Sequence, residues 1–311
     1  MPLLLLFLLC LGLLGCQPEV ETVRIGSDRW PGHAPLFIAD ELKLPHPGAL
    51  RLVEYPSSIG VVRGLRNGTL DAAVLDLSET LRLQSSDERL DLEILLIAGI
   101  SNGADVLYGM PSVRRLADLQ DRRLVIEDSA QAAFLLARIL DEAGLQREQL
   151  QLVILPRQEH VDALRSRRAD AALASTAIAT QLQAIGARPL FDSRAMPDEM
   201  LQVLVINRRS LDSTQRSLVR RLWYSAVERW QSDSASLAPR LQQRLGLDAQ
   251  ALQRALDGIV LGDARINSVR IHNGQLLRQL HHLNQYLLAR DLLGQPARPQ
   301  ALLSACREDA C

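Results

Sequence analysis

The sequence predicts an α/β protein of two similar lobes that face each other across a cleft, with a helical C-terminal segment packed on the first lobe. An internal repeat carries the prediction. Leu52-Val53-Glu54-Tyr55-Pro56 returns about one hundred residues later as Leu152-Val153-Ile154-Leu155-Pro156. The longer stretch Leu65-Arg66-Asn67-Gly68-Thr69-Leu70-Asp71-Ala72-Ala73-Val74 returns, one residue closer, as Leu164-Arg165-Ser166-Arg167-Arg168-Ala169-Asp170-Ala171-Ala172-Leu173. Each copy reads strand, helix, tight turn, strand, so the same α/β unit is built twice. Open α/β sheets present their ligand-facing loops at the carboxyl ends of their strands, and two such units opposed make a binding cleft.

The elements follow in order. Val23 to Ser27 reads as a strand, and Trp30-Pro31-Gly32-His33 as a turn into a helix over 35–42; proline is tolerated in a first helical turn because its missing N–H has no partner there. Leu52 to Tyr55 is the second strand, Ser57 or Ser58 caps the next helix and Gly68 ends it. The continuous apolar run 71–75 suits a parallel sheet. Asp76 and Ser78 open a short helix, 92–98 is a further strand, and 99–108 reads as a strand crossing between lobes. The second lobe repeats the plan: a strand at 124–127, a helix capped by Asp128 or Ser129 and ended by Gly144, a strand at 152–155, a helix at 159–167, a strand at 171–174 and a helix at 177–185. Met200 to Asn207 returns as a strand to the first lobe, and 211–293 is helical, with Trp223 and Trp230 on one face packed against that lobe. The division expected is residues 23–108 and 201–293 for lobe I, 109–200 for lobe II and 294–311 for a tail.

The apolar stretch within residues 1–15 is too short to span a membrane and has the length of a signal-peptide core. It ends in Leu13-Leu14-Gly15-Cys16, which resembles the lipobox of bacterial lipoproteins. That resemblance implies removal of residues 1–15, lipid on Cys16 and a linker over 16–22. The protein is then periplasmic and membrane-anchored, on the outer leaflet of the inner membrane or the inner leaflet of the outer one. With 47% hydrophobic residues, 23% charged residues and a net charge of −1 in 311 residues, the chain can bury two cores and has no basic bias to draw nucleic acid. Cys306 and Cys311 are expected to form a small terminal disulfide in an oxidising compartment, with free thiols as the alternative.

The motifs of common catalysis are missing: there is no G-x-S-x-G, no H-E-x-x-H and no P-loop lysine. His281 and His282 are adjacent on a helix and point to different sides, so they do not form a simple metal pair. Neither cofactor nor metal is expected. What remains is a ring of polar residues and one tryptophan at strand ends: Ser27, Asp28, Trp30, Ser57, Ser58, Asp76, Ser101 and Asn102 from lobe I, and Ser129 and Ser175 from lobe II. Several precede helices, whose free N–H groups and dipoles favour an anionic group. The acids among them favour a ligand with hydrogen-bond donors.

Trp30-Pro31-Gly32 with Pro35 and Ala39, Asn67-Gly68-Thr69-Leu70-Asp71-Ala72-Ala73, Ser101-Asn102-Gly103-Ala104-Asp105, Leu116-Ala117-Asp118-Leu119 and Asp170-Ala171-Ala172 together resemble the periplasmic solute-binding proteins of nitrate, sulfonate and taurine ABC importers. The resemblance implies a type II binding-protein fold, and with no catalytic constellation in the sequence no enzyme activity is expected. It further implies a small polar solute such as taurine or another sulfonate, and an ABC permease and ATPase as partners; the expected state is a monomer. The alternatives are a binder of a thiamine-type aminopyrimidine, or an enzyme or ligand sensor on the same fold, with His33 the one nucleophile or base candidate near a strand end.

Overall fold

The computed structural model describes residues 22–307. In lobe I, strands β1 (Val23–Asp28), β2 (Leu50–Tyr55), β3 (Ala72–Asp76), β4 (Leu92–Ser101), β10 (Leu201–Asn207) and β11 (Ile259–Leu261) form one sheet in the order β11-β4-β10-β3-β1-β2. In lobe II, β5 (Asp105–Gly109), β6 (Arg123–Ile126), β7 (Gln151–Ile154), β8 (Ala171–Ser175) and β9 (Arg188–Asp192) follow the order β7-β6-β8-β5-β9. The repeat becomes a repeated pairing: β1 lies between β2 and β3, all parallel, as β6 lies between β7 and β8. Each lobe then receives one antiparallel strand from across the hinge, β10 beside β3 and β5 beside β8.

Helices α1 (Ala34–Glu41), α2 (Ser58–Arg66) and α3 (Leu77–Ser86) connect the lobe I strands; α4 (Ala130–Ala143), α5 (His160–Arg165) and α6 (Ala179–Ala184) do so in lobe II. The chain closes with α7 (Ser213–Leu245), α8 (Ala249–Asp257), α9 (Ala264–His272) and α10 (Gln275–Ala289). α7 packs on α1 and brings Trp223, fully buried, into the lobe I core, where its indole N–H donates to the Gly262 carbonyl at 2.8 Å. Burying both an aromatic body and its one donor in this way leaves no polar cost behind. Trp230 packs, partly buried, against the same cluster.

Four expectations are corrected. β5 belongs to the lobe II sheet, so the lobes divide at the Asn102-Gly103-Ala104 crossing, where Gly103 takes φ +106°, and not at residue 108. The apolar residues Val106 and Leu107 suit either sheet, and only the pairing of Asp105 with Ser175 decides between them. The C-terminal helical run is broken by the short strand β11, and β9 was not expected at all; both are edge strands, β9 lacks the alternation that marks a half-buried strand and β11 is only three residues long. Finally, residues 294–311 are not all tail: Leu302 is fully buried, and the 3-10 segment Pro299–Arg307 packs against β4.

Candidate functional site

The C-terminal ends of β1, β2 and β3 in lobe I and of β6, β7 and β8 in lobe II meet along the line between the lobes, and the N-termini of α2, α3 and α4 start there. The lobes touch directly. The Glu79 carboxylate of α3 accepts the N–H of Ala130, the first residue of α4, at 2.6 Å, and Gln158 donates its side-chain amide to the Pro56 carbonyl at 3.1 Å. α8 ties the same edge, with Thr176 donating to the Arg254 carbonyl at 3.4 Å and Arg254 donating to Thr180. A cavity of about 30 Å³ lies on the lobe II side, bordered by Asp105, Glu127, Ser129, Arg157 and Ser175 and too small for an organic solute, while the direct contacts hold the lobes closed on one another. A hollow of about 260 Å³ opens between Leu77 at the start of α3, Phe134 of α4 and α10, and one of about 450 Å³ lies between α7 and α9.

The expected residues fall into three groups. Asp76, Ser129 and Ser175 stand at the cleft: Asp76 caps α3 by accepting the Ser78 N–H at 2.8 Å, and Ser129 caps α4 by accepting the Ala132 N–H at 3.1 Å. Ser58 begins α2 with a buried hydroxyl that has no partner, and Ser57 precedes it half-buried without making a side-chain cap. The second group is absorbed by the scaffold. Ser101 is buried at the hinge, its hydroxyl 2.8 Å from Ser193 Oγ and accepting the Asp105 N–H at 3.2 Å, and Asn102 is exposed with its N–H on the Gly258 carbonyl. Ser27 is fully buried and donates to the Asp28 carbonyl at 2.8 Å. The third group is a knot at the end of β1: Asp28 Oδ1 lies 3.1 Å from His33 Nδ1 and accepts the Trp30 N–H at 3.2 Å. Trp30 is buried with its ring edge-on to His33 at 5.3 Å, and its indole N–H has no partner.

Ser27, His33 and Asp28 do not make a catalytic relay. Ser27 Oγ sits 2.9 Å from the same nitrogen, Nδ1, that faces Asp28, and Nε2 is buried without a partner. A serine relay needs the carboxylate on one ring nitrogen and the hydroxyl on the other.

Glu79, Asp105, Glu127, Arg157 and Ser193 were not singled out as site residues. Arg157 was within reach: it follows Leu155-Pro156 as Ser57 follows Tyr55-Pro56, so the repeat places it at the second lobe's equivalent helix start. Glu79 has no such signal, because its counterpart one repeat on is Ile178.

Charge in the cleft is mostly negative. Arg157 pairs with Glu127 at 2.9 Å. Burial opposes the charge of Asp28, yet the hydrogen bond and charge of His33, with Arg157 beyond, hold its carboxyl down at about 2. Asp76 goes the other way: burial, with repulsion from Glu79 and Asp105 added, outweighs its bonds from Ser78 and pushes it up to about 7. Burial also raises Asp105 and Glu79. Among the described residues there is no cluster of three or more His, Cys, Asp or Glu that could hold a metal ion, and no helix is long and apolar enough to cross a membrane. Cys16 and Cys311 lie outside the described residues, and with them the lipid anchor and the expected disulfide.

Two α/β lobes joined by crossing strands and closed over a polar cleft make the fold of the type II solute-binding proteins. The chain belongs to the NMT1-like family, whose model matches residues 16–238. Among solved structures it is similar to the alkanesulfonate-binding protein SsuA from Xanthomonas axonopodis pv. citri bound to MOPS, at 19% identity and a TM-score of 0.74, over 93% of this chain and 98% of that one. The periplasmic aliphatic sulphonate binding protein SsuA from Escherichia coli matches at 17% identity and a TM-score of 0.73, over 91% and 92% of the two chains. The desulfurization enzyme DszB shares the fold at 16% identity and a TM-score of 0.64, over 91% and 96%. No curated protein sequence matches the chain.

Proposed function

We propose that this protein is an extracytoplasmic solute-binding protein, lipid-anchored through Cys16, which closes its lobes on a small polar organic solute of the sulfonate or taurine type. It passes the solute to an ABC permease driven by its ATPase. One observation carries the reading: strand ends and helix starts from both lobes converge on a closed line where buried polar atoms, among them Ser58 Oγ and Asp76 Oδ2, lack partners. Buried polar groups are paired in stable folds, so unpaired ones lining an interlobe surface are accounted for by a solute that supplies the missing bonds. The structures titled for sulfonate binding support the sulfonate class by analogy of fold. The α2 N-terminus, where Ser57 makes no side-chain cap, is the helix start available to an anionic end.

The test is calorimetric titration of the purified protein with alkanesulfonates, aminosulfonates and aminopyrimidines. Binding near micromolar, about −8 kcal/mol, by one class identifies the cargo, and absence of binding across all classes removes the transport reading. An enzymatic reading is favoured by the likeness to DszB and opposed by the His33 geometry; turnover of any bound solute on prolonged incubation would restore it.

A further inference from the structure

The buried acids at the cleft divide into those with a compensating positive partner and those without. Asp28 faces His33 at 3.1 Å, and Glu127 takes Arg157 at 2.9 Å. Glu79 takes Arg82 at 3.3 Å and the Ala130 N–H at the positive end of α4. Asp76 has no such partner, and Asp105 feels Arg157 only at a distance, without a salt bridge among the described residues. Asp76 is 4% exposed; its Oδ1 is used by Ser78 and its Oδ2 is bonded to nothing. Asp105 has the Ser101 hydroxyl beside its carboxyl and the Gln131 amide 3.4 Å from Oδ1, and its buried Oδ2 lacks a partner. The two carboxyls repel each other across the lobe boundary, one ending β3 and the other opening β5.

A group of the opposite kind is also left unpaired. The Trp30 indole N–H, on a side chain 4% exposed, also goes unpaired, so the strand ends hold an unused donor as well as two unused carboxylate oxygens. Arg157, the one arginine bordering the lobe II cavity, is already engaged by Glu127. The charge the cleft lacks is positive.

We infer that the solute is recognised through a cationic nitrogen, an ammonium or amidinium group, seated between Asp76 and Asp105, with the Trp30 N–H taking an acceptor on the same molecule. The inference rests on the cleft being the solute site and names its chemistry: the nitrogen is required and a sulfonate is not. A buried carboxylate pair gains most from a group that is both charged and a multiple donor, and ammonium and amidinium groups are both.

Thermal shift followed by calorimetry tests it, with a panel of matched compounds: ethanesulfonate, taurine, simple alkylamines, guanidines and aminopyrimidines, plus calcium chloride as a purely ionic cation. Binding confined to amine or amidine members is expected, with Asp76→Asn and Asp105→Asn each weakening it at least tenfold. Asp128→Asn, at an exposed carboxyl beside the same helix start, should change affinity less than threefold. Asp76→Asn should also melt no lower than wild type without ligand, which separates lost recognition from lost folding. Equal binding of ethanesulfonate and taurine, unchanged affinity in both Asn variants, or calcium binding in place of the amines overturns the inference while leaving a solute-binding protein. No binding by any member overturns both readings.

Discussion

Glu79 of lobe I reaches across the cleft and accepts the N–H of Ala130 in lobe II at 2.6 Å, so a side chain of one lobe caps the first helix of the other. The bond exists only when the lobes are closed. Glu79 is 1% exposed, so truncation leaves the Ala130 N–H unpaired and removes a buried contact at the interface. Glu79→Ala is expected to shift the free protein toward an open form at a cost of about 1 to 3 kcal/mol. The measurement is small-angle scattering with and without solute: a larger radius of gyration than wild type only in the unliganded state is the expected result, and identical radii would show that Glu79 does not hold the lobes together.

The second half of the repeat carries an imperfection that can be measured. Gly68 ends α2 at φ +69°, and its counterpart Arg167 ends α5 at φ +58°, each donating its N–H back to a leucine three residues earlier. The left-handed conformation is free for glycine and strained for arginine. Arg167 is exposed, so Arg167→Gly loses little packing and is expected to stabilise the fold by about 0.5 to 1 kcal/mol, with Gly68→Arg changing stability by a similar amount in the opposite direction. Urea unfolding of the two variants decides; a destabilised Arg167→Gly refutes the argument.

Those turns also show what the sequence made legible. The repeat predicted two parallel units and their order because its signals are local: apolar strand runs, a turn and an aspartate. Asp71 and Asp170 prove to be matched anchors, Asp71 accepting from the Arg24 N–H, Nε and Nη2, and Asp170 from the same three groups of Arg123. Strand β5 was assigned to the wrong lobe because its partner, β8, lies far along the chain, and the edge strands β9 and β11 are too short and too unevenly buried to leave a pattern. The polar ring was readable as strand ends but not as chemistry. Ser27 and Ser101 turn inward to support β1 and the hinge, whereas Glu79 and Arg157 reach the cleft from helix starts.

Asp76 makes stability depend on pH in a direction opposite to that of a salt-bridged carboxylate. Its pKa stands at about 7 in the fold against an ordinary 3.8, so the folded state prefers the proton. The stability this preference provides is fully present below about pH 4 and is lost as pH rises through 7. Asp76→Asn removes the dependence. Its melting temperature should match wild type near pH 4 and exceed it at pH 8, by an amount equivalent to roughly 1 to 3 kcal/mol. Parallel curves for the two proteins across that range would show that the buried carboxyl is compensated by a group not identified at the site.

Trp30 separates a binding residue from a packing residue by its nitrogen alone. The side chain is held by close fit: a Cβ placed on Gly32 would lie 1.7 Å from the Trp30 ring, so the ring rests directly on the backbone of the 3-10 turn Pro31–His33. Its indole N–H is nevertheless buried and unpaired. Trp30→Phe keeps an aromatic ring near the turn and deletes that donor. In the free protein an unpaired buried donor is a burden, so its loss offsets part of the reduced packing area, and stability should fall by no more than about 1.5 kcal/mol. In the complex the N–H is satisfied by the solute, so affinity should fall about fivefold to tenfold, the worth of one hydrogen bond. Gly32→Ala acts from beneath, displacing the ring, and should cost both stability and affinity. Calorimetry and melting curves on both variants distinguish the roles: a Trp30→Phe protein that melts lower yet binds its solute as tightly as wild type makes Trp30 a core residue of lobe I and moves the site to the Asp76, Asp105 and Arg157 side of the cleft.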